Sequence, residues 1–252
     1  MDREVLAGGF AASAAELREQ LSMMAAASQL LERTAGSREM SYVAAMNQSI
    51  CRMLRTVSRM ELAHRLTDEN NPRACYEAVD LGLWAEDLAR RMQSVLGAAG
   101  ISLGWEVPSA LMAHVDGELL SHMVLEMITF AAESGGELRF SVGTQGGKIR
   151  IVVRAEGTAP SRPLVPECLA EEIQDLGLAM VRKAAALHGG TLVTCLEGGV
   201  CRSLTVILPQ GLDEPVSRME SPRSSMTAGG FDPVVVAFSH LLPEKEFLQT
   251  CE

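Results

Sequence analysis

The stretches that decide the fold are LGLAMVRKAAALHGGTLV at residues 176–193 and LTVILP at residues 204–209. The first continues an amphipathic helix, which we expect to start near Glu167 and to end at His188-Gly189-Gly190. Two strands are then predicted to pair as a hairpin, at residues 191–196 and 203–208. A helix that leads directly into paired strands predicts a helix packed on a sheet.

The same alternation of strand and helix patterns extends back to about residue 76. We predict helices at residues 83–96 and 116–133, and strands at residues 78–81, 101–107, 111–115, 137–142 and 148–154. The last two strands flank Gly146-Gly147 and are expected to form a hairpin. Strands largely paired as hairpins, with helices between some of them, predict an α+β sandwich over residues 76–210, in which helices cover one mixed sheet.

Residues 10–68 carry a different pattern, in which apolar side chains recur at steps of three and four. This spacing is typical of a helix–helix seam, and Gly36-Ser37 interrupts it once. We therefore predict an antiparallel helical hairpin whose exposed apolar stripe is buried by a second copy in a four-helix bundle. The predicted dimer interface consists of Leu17, Leu21, Met24, Leu31, Met46, Ile50, Met53 and Val57.

Residues 211–252 form a third region. Ser, Pro, Met and Gly dominate as far as Gly230, which predicts a flexible segment. The sequence becomes apolar again at residues 231–248 (FDPVVVAFSHLLPEKEFL). Because free apolar segments rarely stay solvated, we expect this tail to dock on the body of the protein or on a partner.

The composition excludes several classes of partner. The chain has 22 Lys and Arg against 32 Asp and Glu, and this net charge of −10 disfavours nucleic acid and anionic membranes. No apolar run is long enough to span a bilayer. Only 4% of the residues are aromatic, so the core is expected from Ala, Leu, Val and Met. The six scattered cysteines are expected to be reduced thiols of a cytoplasmic protein.

No metal site is expected. The cysteines form no CxxC pair and none lies at ligand spacing from a histidine, as a zinc site requires. His114 and His122 flank Asp116, but a third partner for a catalytic triad or a metal is lacking. His188 precedes Gly-Gly at a helix-to-strand turn, where we expect a structural role.

The order of these parts resembles that of the bacterial sensor histidine kinases. A helical hairpin containing SRMELAHRL (58–66) is followed by VDLGLWAEDL (79–88), an Asp-led helix, a strand hairpin and an HGG-strand unit. The resemblance extends from Ala14 to Pro209. It implies a dimerisation and phosphotransfer hairpin, followed by an ATP-binding domain of the GHKL type.

The resemblance places a phosphoacceptor histidine early in the first helix, in a phrase such as S-H-E-L-R-x-P-L. Residues 14–21 of this chain are AAELREQL, so Ala15 stands at the position of the nucleophile. A methyl side chain cannot accept a phosphoryl group, because the transfer needs the lone pair of an imidazole nitrogen. His64 is the first histidine of the chain. It is either an alternative phosphoacceptor or a residue that caps or packs the helix end.

The adenine and Mg²⁺ positions implied by the resemblance also differ. Glu126 and Phe130 stand where the family has two asparagines, one of which binds Mg²⁺, and phenylalanine offers no ligand. Glu126 is either a salt-bridge partner in a refilled pocket or a functional remnant. Ala155, ahead of Gly157, replaces the aspartate that accepts a hydrogen bond from the adenine amino group.

The phosphate-binding loop G-x-G-L-G-L corresponds to residues 173–178, IQDLGL, in which only Gly177 is a glycine of the motif. Asp175 places a negative charge where phosphate oxygens would approach. The lid that precedes this loop begins with the Pro-rich run APSRPLVPE and continues as a predicted helix. We therefore expect neither ATP nor Mg²⁺ as a cofactor.

Together these observations predict a dimeric, cytoplasmic protein that resembles a histidine kinase without its chemistry. We expect it to act as a binding or adaptor module for a response-regulator receiver domain or for an active histidine kinase. Two alternatives stay open. One is a histidine phosphotransferase that uses a non-standard histidine, and the other is a nucleotide-binding anti-sigma or partner-switching protein.

Overall fold

The computed structural model describes residues 3–36, 38–67, 74–133, 136–156, 167–197, 200–211 and 230–248. The chain divides into two compact units. The first unit consists of residues 1–71 together with residues 225–252, and the second consists of residues 72–224. The C-terminal segment therefore belongs to the same unit as the N-terminal helices.

The first unit is built on two long helices that pack against each other, α1 (Arg3–Glu32) and α2 (Met40–Thr67). Helix α1 starts before residue 10, where the hairpin was predicted to begin. Ala14 and Ala25 on α1 are fully buried, and Ile50 and Leu54 on α2 are buried as well. Small side chains on one helix let the two axes approach closely, which is how an Ala-rich chain with few rings builds this core.

The second unit alternates helices and strands over residues 77–209. The elements are β1 (Glu77–Asp80), α3 (Leu81–Ala98), β2 (Leu103–Glu106), β3 (Met112–Val115), α4 (Gly117–Glu133), β4 (Glu137–Gln145), β5 (Lys148–Glu156), α5 (Glu167–Leu187), β6 (Thr191–Glu197) and β7 (Val200–Pro209). Five strands form one sheet in the order β2-β4-β5-β7-β6. The β2–β4 pair is parallel and the other pairs are antiparallel, so the sheet is mixed. The predicted α+β fold class is confirmed.

Strands β1 and β3 do not join this sheet, in contrast to the prediction of a single sheet. They form a separate antiparallel pair in which Asp80 lies opposite Met112. The Asp80 carboxylate explains the pairing, because its Oδ1 accepts from the backbone of Gly82, at the start of α3, and from that of Leu111, ahead of β3. One side chain thus caps the helix and holds the two short strands together.

Helices α3, α4 and α5 cover one face of the five-stranded sheet. Along β5, the buried side chains Ile149, Ile151 and Val153 alternate with more exposed ones. Because successive side chains of a strand point to opposite faces, the buried set faces the helices and the other set faces away from them. Leu119 and Met127 of α4 complete the buried layer.

The predicted helix end at His188-Gly189-Gly190 is present in the structure. Gly189 has a φ of 67°, and the Gly190 N–H donates to Ala185 O at 2.8 Å, as in a glycine-terminated helix. A Cβ atom on Gly190 would lie 2.2 Å from the carbonyl oxygen of Ile207 on β7. Glycine is therefore required at 190 by the close approach of the neighbouring strand.

The C-terminal segment packs on the hairpin. A short helix, α6 (Pro233–Ala237), begins at Asp232, whose Oδ1 accepts from the Val234 N–H at 2.7 Å, and a 3-10 turn (Glu244–Phe247) follows. Both contact α2. Six apolar side chains of the segment are buried: Phe231, Val234, Val236, Phe238, Leu242 and Phe247. The tail was expected to dock either on the body of the protein or on a partner, and in the structure it docks on the hairpin of its own chain. The segment predicted to be flexible lies largely at residues 212–229, outside the described residues.

Candidate functional site

The hairpin position that corresponds to a phosphoacceptor is solvent-exposed. Ala15 lies on the exposed side of α1, one turn before Arg18. The Arg18 guanidinium pairs with Glu61 of α2, with 3.0 Å between Nε and Oε1, and donates to Ser58 Oγ at 3.0 Å. This half-buried cluster has no local sequence signal, because Arg18 lies 40 or more residues from both of its partners.

The same cluster shows which residues of α1 and α2 lie side by side, and therefore fixes the height of His64, meaning its position along the axis of the hairpin. Arg18 contacts residues 58 and 61, and the two helices run antiparallel. Three residues back along α1 therefore corresponds to about three residues forward along α2. Ala15 and His64 accordingly lie within about one helical turn of the same height. His64 is half-buried, and its carbonyl accepts from Thr67 Oγ1 at 3.3 Å in the last turn of α2.

Three of the predicted nucleotide positions lie on elements that pack together. Glu126 and Phe130 are one turn apart on the same side of α4, and both are half-buried. Ala155 is buried near the end of β5, on the face that the helices cover. Helix α4 contacts both β5 and α5. Gly157 lies outside the described residues.

Helix α5 runs without interruption from Glu167 to Leu187, as predicted for the second half of the lid, and includes residues 173–178. Gly177 is buried within it, and the side chain of Asp175 lies outside the described part of the chain. In the interior of an α-helix each backbone N–H donates to the carbonyl four residues earlier. The N–H groups of this stretch are therefore occupied by the helix and do not form a free anion-binding loop.

His188 holds the start of α4 to the end of α5. The Asp116 N–H donates to His188 Nε2 at 3.0 Å, so this nitrogen is the acceptor. The Nδ1 atom therefore carries the proton and donates to Ala184 O at 2.8 Å. The buried imidazole is held in one neutral tautomer by backbone groups alone, which agrees with the structural role expected for His188.

Asp116 caps α4 and organises the residues around it. Its Oδ1 accepts from the Leu119 N–H at 2.9 Å and its Oδ2 accepts from the Cys75 N–H at 2.8 Å. Burial and the negative charge of Asp116 raise the pKa of the Tyr76 hydroxyl. That hydroxyl donates to Leu187 O at 2.6 Å, and the Tyr76 ring lies edge-on to that of His188.

The described thiols differ sharply in their surroundings. Cys51 is buried in the hairpin, and desolvation raises the pKa of its thiol to about 12. The side chains of Cys75 and Cys195 are exposed. Within the described residues no cluster of His, Cys, Asp and Glu could hold a metal ion. No described helix combines the length and the apolar character needed to cross a bilayer.

The eight residues predicted for a dimer interface divide into three groups by the exposure of their side chains. Leu21, Ile50 and Val57 are buried within a single chain. Met46 is half-buried. The side chains of Leu17, Met24, Leu31 and Met53 are 42–53% exposed. The exposed α1 residues recur at steps of seven, so they form one stripe along the helix.

Solved structures provide the comparison. ShkA, solved at full length in complex with AMPPNP, superposes with a TM-score of 0.62 at 22% identity, over 81% of this chain and 46% of ShkA. The histidine kinase AdeS of Acinetobacter baumannii gives a TM-score of 0.51 at 18% identity, over 66% of this chain and 84% of AdeS. The chain has the fold of a sensor histidine kinase. It spans about half the length of ShkA. No protein-family model matches the sequence, and no curated protein is similar to it.

Proposed function

We propose that the chain acts as a dimeric binding module of histidine-kinase fold, which binds a response-regulator receiver domain or an active histidine kinase and does not hydrolyse or transfer phosphate from ATP. The observation that carries this proposal is the uninterrupted helix α5. Its residues 173–178 stand where ATP-binding relatives need a phosphate loop, and their N–H groups donate within the helix.

The neighbouring positions support the same conclusion. Phe130 offers no oxygen or nitrogen to a metal ion, and Ala155 offers no acceptor to an adenine amino group. An adenine bound there would leave its amino group unpaired, which costs about 1–3 kcal/mol. ShkA was solved with AMPPNP, so the comparison protein retains the nucleotide site that we propose is lost in this chain.

The hairpin retains the features of a binding surface. Among the first-unit residues whose side chains the structure describes, seven large apolar ones are exposed: Leu17, Met23, Met24, Leu30, Leu31, Tyr42 and Met53. Exposed apolar surface of this density usually marks an interface with another protein. We assign the stripe of Leu17, Met24 and Leu31 to a second copy of the chain, and the adjoining pair Met23 and Leu30 to the regulator or kinase.

Calorimetric titration with Mg-ATP and with Mg-ADP tests the loss of nucleotide binding. We expect no heat of binding, and micromolar affinity would instead favour the nucleotide-binding anti-sigma or partner-switching alternative.

Partner binding is tested with purified receiver domains from the same genome. At least one should bind, and Leu30→Glu should weaken that binding at least tenfold. Leu83→Glu, at an exposed apolar position on α3, is the matched control.

A second candidate function is supported by the height of His64. Because His64 lies near the height of Ala15, a receiver domain docked on the hairpin could present its phosphoaspartate to the His64 imidazole. The chain would then be a phosphotransferase that receives the phosphoryl group from the receiver without using ATP.

Incubation with a phosphorylated receiver domain separates the two functions. Acid-labile phosphate that disappears in His64→Gln, but persists in a His114→Ala control, would establish the phosphotransferase. Absence of label with retained receiver binding would leave the binding module as the function. We also propose that the protein is cytoplasmic, because its six cysteines are scattered single residues, as is usual in a reducing compartment.

A further inference from the structure

A groove of about 490 Å³ lies on the face of the five-stranded sheet that points away from the helices. Its lining includes Glu106, Ser141, Gln145, Arg150, Val152 and Arg154. Ala155 points to the opposite, helix-covered face, since side chains alternate along a strand. The groove is therefore separate from the predicted nucleotide positions and from the hairpin surface of the proposed function.

The two arginines of the groove are free to bind an anion. Within the described residues, no carboxylate lies within ion-pair distance of Arg150 or Arg154, whereas Arg139 on the same face pairs with Glu156 at 3.1 Å. Arg150 Nη1 donates to Gln145 Oε1, a neutral acceptor. Its Nε–H is shielded from solvent and has no acceptor. The described lining holds these two arginines and one carboxylate, that of Glu106, so its formal charge is +1 on a chain of net charge −10.

The spacing of these arginines indicates how far apart the anionic groups of a ligand lie. Arg150, Val152 and Arg154 occupy alternate positions of β5, so all three side chains project from the same face. Four residues of strand separate the two arginine Cα atoms by about 13 Å. At this separation each arginine can pair with a carboxylate of its own, and acidic side chains four residues apart on an extended peptide have the same separation.

We propose that this groove binds an extended acidic segment of a protein partner, with the pattern acidic-x-apolar-x-acidic along β5. The two carboxylates form charge-assisted hydrogen bonds with Arg150 and Arg154, and the apolar side chain between them packs on Val152. Ser141 and Gln145 supply hydrogen-bonding groups for the peptide backbone. Glu106 is aligned with Val152 through Ser141, so it disfavours an acidic side chain at the apolar position of the peptide.

Fluorescence anisotropy with a labelled peptide tests this proposal. The probe is Thr-Glu-Thr-Val-Thr-Glu-Thr-amide with a fluorophore on its N-terminal amine, and the comparison peptides carry Lys in place of Glu, or two adjacent Glu residues. We expect saturable binding of the probe alone. Arg150→Gln and Arg154→Gln should each weaken it at least tenfold, because each removes one charge-assisted pair. Arg90→Gln removes the same charge from an exposed position on α3 and should leave binding within twofold.

Four outcomes of the binding measurements, and one of a competition experiment, would overturn the proposal. The first four are absence of saturable binding up to about 1 mM probe, equal binding of the Lys peptide, equal binding of the peptide with adjacent Glu residues, or unchanged binding in Arg154→Gln. Arg154 is exposed, so its replacement should leave the fold intact, and circular dichroism checks this. Competition by inorganic phosphate as effective as that of the peptide would also overturn it, because a single anion would then suffice.

Discussion

The side-chain amide of Asn47 on α2 donates a 2.8 Å hydrogen bond to the carbonyl oxygen of Phe247, 200 residues later in the chain. One position along, Gln48 Nε2 donates to Leu242 O at 2.9 Å. Both bonds are buried, and they connect the first half of α2 to the C-terminal segment. The tail is therefore held by directional bonds as well as by apolar packing, so it has one register on the hairpin.

Replacement of Asn47 by Ala should loosen the tail and the hairpin together. The Phe247 carbonyl would be left buried without a donor, which costs about 1–3 kcal/mol. We expect the Cys51 thiol, buried on the same helix, to react with a thiol reagent about 5- to 150-fold faster under native conditions. Ser49→Ala is the control, because Ser49 is exposed and donates within its own helix. An equal change in both variants would mean that the bond to the tail contributes nothing specific.

The stability of the hairpin should fall in alkaline solution because of Cys51. Burial raises the pKa of this thiol from 9.0 to about 12, so the unfolded chain releases the proton at a lower pH than the folded chain. The stability contributed by the protonated thiol is complete below about pH 9 and is lost as the pH rises towards 12, by about 1.4 kcal/mol per pH unit.

Urea unfolding followed by circular dichroism at pH 8.5 and 10 measures this loss. Other groups also titrate in this range, so the informative quantity is the difference between the wild type and Cys51→Ala. The wild type should lose about 1 kcal/mol more than the variant between these two values of pH. If both proteins lose the same stability between these two values of pH, the Cys51 thiol titrates alike in the folded and the unfolded chain, and its burial does not raise its pKa.

Local signals in the sequence predicted the second unit well. Gly189-Gly190 marks a helix end through backbone geometry that other residues adopt poorly, and Asp116 marks a helix start through its side chain. Gly146-Gly147 marks the turn of the strand hairpin predicted between β4 and β5, and both glycines have positive φ in the structure. Each of these features depends on neighbours a few residues away, which a sequence displays directly.

Long-range relationships could not be predicted in the same way. Asn47 looks like an ordinary polar residue of a helix, and its acceptor is a backbone carbonyl that carries no sequence signal. Leu21 and Ile50 fit a dimer seam by their spacing, yet they are buried within one chain, because periodicity identifies an apolar face but not what covers it. The groove at Arg150 and Arg154 depends on strand pairing that only the fold defines.

Replacement of Gly190 by Ala should destabilise the second unit. The added Cβ would lie 2.2 Å from the Ile207 carbonyl oxygen, and relief of this contact requires movement of the backbone, at a cost of about 1–3 kcal/mol. Gly104→Ala is the control, because no atom lies within 4 Å of a Cβ there. The only tryptophans, Trp84 and Trp105, both belong to this unit, so urea unfolding followed by tryptophan fluorescence reports on it alone. Equal stability of the two variants would refute the requirement for glycine at 190.

Replacement of Leu17 and Met24 by Glu should convert a dimer into a monomer. Both side chains are exposed in the single chain and lie seven residues apart on α1, so glutamates there would face each other across the stripe proposed to bind a second copy. Leu21 is unsuitable for this test, because its side chain is buried and a charge there would unfold the hairpin itself. Light scattering should give twice the chain mass for the wild type and for Leu83→Glu, and the chain mass for the double variant. A monomeric wild type would refute the dimer, and a dimeric double variant would place the interface elsewhere on the hairpin.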